Sequence, residues 1–489
     1  MNERRAARAS WVLSFDGAEH VVLEDGVVEW EGDTVVRVGR VPTVQPERLI
    51  VLDGHLLLPG LINLHCHAGS QAAGRLIFHL GRRDVFGGGF QNTAPRRDAV
   101  RPPAEDRDLA ALATLVELAK GGATTVLEAG SPPALADALL RARERVPIRL
   151  YLGPGYRSAD YLTELDGRLV KEWRPDGGLA HFVAARDWVA RLPNGGRGDG
   201  LVAGVLYPSI LDYCTADLLR KTKAAADEMG VLVQIHACQS IYEFHEILHA
   251  TGRTPIEWLS ELDLLGPRTS LAHCFATTAN PHVAYRGGRD LDLLARSGTT
   301  VVHCPVAIGR RGNALHSLDR YQQAGVRVAL GTDTFPRDML VEMRTAQLMA
   351  KLVDNDFAAG TSRAVLRTCT IDAAEAIGRP DLGRIAVGAA ADFVAVNLRS
   401  LHVGPVRDPV DAALSACDAR DITWVWVAGQ PVVVAGAVPG VDEAALVRRL
   451  QAEAEAAWAA VADYHWSRQP ADTVFPRSFR RARPDEFAD

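Results

Sequence analysis

A (β/α)8 TIM barrel with a small β-sandwich domain built from both ends of the chain is the fold class this 489-residue α/β sequence predicts. Three observations predict it. Between residues 59 and 379, short apolar strand-like runs alternate with Ala/Leu/Arg-rich amphipathic stretches, and eight such units fill that length. Before residue 59, and again from 380 to 440, the texture is that of short hairpins. Residues of metal-binding type end several of the barrel runs.

The elements follow in order. "WVLSF", "VVLEDGVVEWEGDTVVRVG" and "LIVLDGHLLLPG", within residues 9–58, alternate around D-G and G-D turns as hairpins do. The barrel strands are "LINLHCH", "GATTVLEAG", "IRLYLGP", "LVAGVLYP", "VLVQIHA", "TSLAHCF", "TTVVHCP" and "RVALGTD". Helical patterns such as "RDLAALATLVELAKG", "TADLLRKTKAAADEMG" and "LDRYQQAG" fall between them. Residues 68–103 make a long, glycine-rich loop containing "DVFGGGFQNTAP", a candidate lid. Residues 154–200 make a second excursion with "PNGGRGDG", which lacks the strand-to-helix glycine spacing of a phosphate cradle. "LGRIAVGAAADFVAVNL" and "DITWVWVAGQPVVVAGAV" return to hairpin texture. The predicted domains are therefore 1–58 with 380–440 as the sandwich, 59–379 as the barrel, and 441–489 as a C-terminal helix and tail.

Composition narrows the function classes. With 47% apolar and 23% charged residues the chain is globular in type. A net charge of -6 argues against a nucleic-acid binder, and clusters such as "FRRARP" read as solvated surface. No apolar run reaches the roughly 18–20 residues of a membrane helix, and the N-terminus has no apolar h-region of a signal peptide. The seven cysteines form no CxxC pair, so they read as small buried hydrophobes of a cytoplasmic protein.

"LHCH" at 64–67 is the strongest local signal. Alternate residues of a strand share a face, so His65 and His67 would both point into the barrel. Two packed core histidines would give the same spacing. His236 in "VQIHA", His273 in "SLAHC", His303 in "VVHCP" and Asp333 in "LGTD" end other strands in the same way. Each alone is ambiguous. Together they converge on one point, where a buried carboxylate is costly without a cation.

"LLLPGLINLHCH", "LAHC", "VVHCP", "AGVRVALGTDTFPRDMLVEMRTA" and "DLGRIAVGAAADFVAVN" resemble the amidohydrolase superfamily, and within it the branch of triazine hydrolases (chlorohydrolases) and cytosine and guanine deaminases. The resemblance covers nearly the whole chain. It implies His65, His67, His236 and Asp333 as ligands of one divalent metal, zinc or alternatively iron. It further implies His273 as a residue orienting water and substrate, and Asp333 as general base. Strand four offers no lysine to bridge a second ion, so the centre is expected to be mononuclear. His303 is expected to contact substrate. His79 could reach it from the long first loop or lie on the surface, and Arg310 and Arg311 could grip an anion or be solvated.

One position departs from the branch. Its deaminases carry His-x-x-Glu after strand five, whereas this chain has His236 followed by Gln239. Glutamine hydrogen-bonds but does not titrate, so Gln239 can bind substrate and cannot shuttle a proton. Either Asp333 carries all proton transfer, or the leaving group needs little acid help, or the protein is a weakened paralogue; Glu243 or Glu246 could also supply the missing acid. The expected activity is hydrolysis of a non-peptide C–N bond in a small amide, urea or N-heterocycle. The alternative is deamination or dechlorination of a purine-, pyrimidine- or triazine-like ring, and a non-catalytic scaffold is the reading from another class. The expected partners are a small-molecule substrate and further copies of the chain in a homo-oligomer.

Overall fold

Strands from both ends of the chain hydrogen-bond into one sheet. The computed structural model describes residues 3–69, 71–76, 104–164, 166, 168–482 and 486. Most of the long first loop, including "DVFGGGFQNTAP" and His79, lies outside the described residues. The terminal strands are β1 (Arg4–Phe15), β2 (His20–Glu31), β3 (Thr34–Gly39), β4 (Leu49–Pro59), β15 (Phe393–Asn397), β16 (Ile422–Val427) and β17 (Gln430–Val433). Their order is β17-β16-β15-β4-β1-β2-β3, with β1 and β4 parallel and the other neighbours antiparallel. The sheet curls over its own core. Trp30 of β2 packs 5.4 Å from Phe393 and 6.1 Å from Trp426, ring to ring, although their strands are far apart in the order. Val35 also exchanges backbone bonds of 2.8 Å with residues 388 and 389, tying the far edge to the segment before β15.

The barrel strands are β5 (Leu61–Cys66), β6 (Ala123–Ala129), β7 (Arg149–Gly153), β10 (Val202–Leu206), β11 (Leu232–Ala237), β12 (Thr269–His273), β13 (Thr300–His303) and β14 (Arg327–Leu330), all eight where the sequence predicts them. They form one eight-stranded sheet in chain order. Among the described residues the hydrogen-bonded neighbours in this sheet are parallel, as in the β10–β11 and β13–β14 pairs. Beyond the strand ends a bridge between Cys66 and Asp333 brings the first and last strands together. Asn63 reinforces that seam, donating to Thr332 Oγ1 at 2.8 Å and accepting from Thr332 N at 3.2 Å. Gly331 has to be glycine, because a Cβ there would sit 2.7 Å from His65 Cβ and His65 O.

Helices cap where the sequence offers caps. Asp106 accepts from the amides of residues 108 and 109 at the start of Arg107–Lys120, and Thr215 caps Ala216–Met229, which Gly230 ends at φ 71°. The excursion at 154–200 holds structure that composition does not announce: an antiparallel hairpin of β8 (Ala159–Thr163) and β9 (Leu169–Trp173), then the helix Leu179–Ala190. The C-terminal helix Glu443–Ala459 packs on the same chain, with Lys120 Nζ 2.6 Å from Glu443 and Trp458 Nε1 donating to Ala72 O at 2.9 Å. All seven cysteines are buried and unbridged. Among the described residues no helix is long and apolar enough to cross a membrane.

Candidate metal centre

The ends of β5, β11, β12 and β14 meet at the top of the barrel. Tight backbone turns aim their side chains: Cys238, His273, Cys274 and Asp333 have φ of 52°, 69°, 47° and 54°. Non-glycine residues hold such angles only where surrounding structure imposes them. At Asp333 the imposition is visible. Its N–H donates to His65 O at 3.0 Å, and its carbonyl accepts from His67 N–H at 2.7 Å.

His67 Nε2 lies 3.3 Å from His236 Nε2 and 3.6 Å from Asp333 Oδ1, and His65 Nε2 lies 4.0 Å from the same oxygen. Donors held tetrahedrally at about 2.0–2.1 Å from one zinc ion are about 3.3 Å apart. His65, His67 and Asp333 bring ligand atoms within 4.8 Å of one another, and so do His65, His236 and His273. His65 Nε2 is also buried with no hydrogen-bond partner.

Neighbouring groups set the tautomers. The Gln234 amide donates to Leu64 O at 2.7 Å and Ser270 Oγ at 3.0 Å, which turns its oxygen to His65 Nδ1 at 2.8 Å. His65 therefore carries its proton on Nδ1 and its lone pair on Nε2. His236 Nδ1 faces the carbonyl of Ser209 at 3.0 Å, and a carbonyl only accepts, so Nε2 again keeps the lone pair. Burial brings His65 down to about 4, with His67 adding to the effect and Asp333 opposing it. Burial first, then neighbouring histidines, hold His236 and His273 well below the usual imidazole range. All three are neutral at pH 7, the form that binds a cation. The donor set fits one divalent ion.

A family model for the amidohydrolase family matches residues 56–432. The chain belongs to the amidohydrolase family. As a member it is a metal-dependent hydrolase of carbon–nitrogen bonds other than peptide bonds. It is 30% identical over 439 residues to a 5-methylthioadenosine/S-adenosylhomocysteine deaminase of Natronomonas pharaonis, covering 88% of this chain and 93% of that protein. The corresponding protein of Pyrococcus furiosus is 28% identical over 428 residues, 86% of this chain and 92% of its own. Among solved structures, a zinc-bound adenosine deaminase from Xanthomonas campestris superposes with a TM-score of 0.74 at 24% identity, covering 92% of this chain and 98% of that one. A triazine hydrolase from Arthrobacter aurescens superposes at 0.75 with 22% identity, over 92% and 99%.

Within this family member, the five residues predicted at the centre from strands one, five, six and eight (His65, His67, His236, His273 and Asp333) stand together. His303 ends β13 buried, outside both donor groups, with Nδ1 lacking a partner and burial pushing its pKa down to about 3. Gln239 is buried too, and its Nε2 has no partner. Glu243 is not an acid aimed at substrate. Its carboxylate accepts from Cys238 N at 3.0 Å and Gln239 N at 2.8 Å, fixing the turn that presents the glutamine. Glu246 stands beside Tyr242 one turn further along the helix Ile241–Thr251. Arg310 donates to the carbonyl of Phe335, two residues past Asp333. The side chain of Arg311 is solvent-exposed, although its charge acts on both His236 and His273.

Sequence reasoning missed Gln234, Ser209 and Tyr207. Gln234 had a signal, since it lies two residues before His236 and so on the same face of β11. Ser209 acts through its backbone and had none. Tyr207 directly follows β10, the strand without a lysine, and its hydroxyl lies 2.6 Å from His236 Nδ1.

Proposed function

We propose that the chain hydrolyses a non-peptide C–N bond of a small amide, urea or N-heterocycle at a mononuclear centre, with zinc as the ion and iron as the alternative. His65, His67, His236 and Asp333 would hold it. A divalent ion held there would supply Lewis-acid polarisation of the substrate and a water acidified from pKa 15.7 toward about 7. The chain's own residues handle protons and position. Asp333 takes the proton of the attacking water and returns it to the departing nitrogen. His273, its ring stacked 5.1 Å from His236, supports the charge that develops on the substrate. Gln239 and His303 hydrogen-bond to the substrate from strands five and seven.

The observation that carries this reading is Gln239: a buried amide with an unpartnered Nε2 stands where a titrating acid would serve ring deamination. General acid–base help is worth roughly 10²–10⁴-fold, so bonds whose cleavage Asp333 can assist alone are favoured. Deamination or dechlorination of a purine, pyrimidine or triazine ring is the second reading, favoured by the names of the relatives. A panel of amides and ureas set against aminated and chlorinated rings separates the two, with amine, ammonia and chloride assayed individually. Products from the amides or ureas support the first reading; clean ammonia from an aminopurine moves the assignment to the second. No hydrolysis of either set by metal-loaded protein contradicts both. In the same assay Gln239→Glu keeps stoichiometric metal and gains ring deamination; loss of its metal would show that Gln239 is misplaced.

A further inference from the structure

Tyr207 is a buried hydroxyl at the layer of the histidines, and the roles assigned above leave it unused. It follows β10 directly, and its ring lies 5.6 Å from His236 and 6.4 Å from His67. Its Oη is 2.6 Å from His236 Nδ1 and 3.4 Å from His236 Nε2. The Ser209 carbonyl at 3.0 Å favours the hydrogen on Nδ1, the tautomer that also leaves Nε2 free to bind a cation, and in that tautomer the Nδ1 contact does not use the tyrosine proton. Nε2 lies 3.3 Å from His67 Nε2. In that tautomer, the one a metal-bound His236 would have, Tyr207 retains its own proton. Among the described residues His236 is the hydroxyl's only hydrogen-bond partner. A group lying against His67 Nε2 and His236 Nε2 is within hydrogen-bond reach of an oxygen 3.4 Å from one of them.

We propose that Tyr207 is a further catalytic residue, a fixed hydroxyl donor to the oxygen or nitrogen that gains charge at the reacting carbon. It supplies, as a hydrogen bond without proton transfer, part of the help that Gln239 cannot give as an acid. The reaction it serves rests on the hydrolase reading above, whereas its geometry does not. Gly130 leaves the room the ring occupies, since a Cβ there would lie 2.8 Å from Tyr207 Cε1, and the Tyr207 backbone is held by the Tyr156 N–H, which donates to its carbonyl at 3.2 Å.

The test is Tyr207→Phe in the full-length zinc-loaded protein, read in three ways. Zinc affinity, by chelator competition, is expected to stay within about 3-fold of wild type. Binding of acetohydroxamate, a small oxygen-donor probe that needs no turnover, is expected to weaken about 10-fold. For any C–N compound hydrolysed, kcat is expected to fall about 10²-fold with KM little changed, as when one oxyanion donor is removed. Site-specific 3-fluorotyrosine, a stronger donor of nearly the same shape, is expected to tighten acetohydroxamate, and it keeps the test open if the phenylalanine variant misfolds. Zinc loss with unchanged kcat per bound ion would make Tyr207 a positioning residue for His236 and overturn the proposal. So would equal acetohydroxamate affinity in wild type and both variants. If no compound is hydrolysed at all, the hydrolase reading fails while the acetohydroxamate comparison still decides the role of Tyr207.

Discussion

The two ends of the barrel differ in how their buried charges and nitrogens are partnered. At the lower end, where the strands begin, Arg149 is buried and fully paired. It forms a two-pronged bridge to Asp392 at 2.8 Å on each arm, and Asp392 also accepts from Ala428 N at 2.8 Å. At the upper end, His65 Nε2, Gln239 Nε2 and His303 Nδ1 are buried with no partner. Four non-glycine residues nearby hold positive φ. An unpartnered buried polar atom costs about 1–3 kcal/mol. Below, the unpartnered atoms are the hydroxyls of Thr125 and Thr300 while the buried charge is paired; above, they include ring and amide nitrogens around the histidine cluster, open to ligands. The lower end joins barrel to β-sheet; the upper end holds the candidate metal centre.

The largest expected effect breaks the upper end. Asp333→Asn would remove both the proposed ligand and the proposed proton carrier, so kcat/KM is expected to fall by at least about 10²–10⁴-fold, with bound metal reduced and the fold intact by circular dichroism. Retained turnover with full metal would remove Asp333 from the account. Arg149→Met should do the reverse. Leaving Asp392 buried and unpaired is expected to destabilise the protein by about 3–5 kcal/mol in denaturant unfolding, while kcat per folded molecule is unchanged. A selective loss of kcat in that variant would show that the two ends are not separate.

Smaller effects sharpen the contrast. Gln234→Leu frees the His65 tautomer, and zinc affinity is expected to drop about 10–100-fold, measured by chelator competition. Acidification tests the same end without mutation. His65 is held at about 4 and His303 at about 3 in the folded chain, below the 6.5 from which they are shifted. Between pH 6.5 and those values the unfolded chain binds more protons, so stability rises with pH there and is lost as pH falls. Metal-free protein is therefore expected to melt progressively lower from pH 6.5 to 4, and bound zinc is expected to steepen that slope, because its ligands must stay deprotonated. A flat metal-free profile would mean these histidines are not buried as described.

How legible all this was depends on what a residue acts through. The eight barrel strands and the donors His65, His67, His236, His273 and Asp333 could be found because each joins an apolar run to a polar end, a signal contained in a few adjacent residues. The hairpin of β8 and β9 could not, since five-residue strands inside a glycine-rich excursion carry too short an alternation. Ser209 and Tyr207 could not either, because their meaning comes from His236 on the next strand. Glu243 shows the converse. An acid near the site invited a catalytic reading, and only its two backbone partners reveal that it fixes the turn holding Gln239.

Crystallographic anomalous scattering at the zinc edge, on protein loaded with zinc, tests the central claim most directly. One peak per chain is expected, at about 2.0–2.2 Å from Nε2 of His65, His67 and His236 and from Asp333 Oδ1. Two peaks at the barrel mouth, or one peak away from these four atoms, would contradict it.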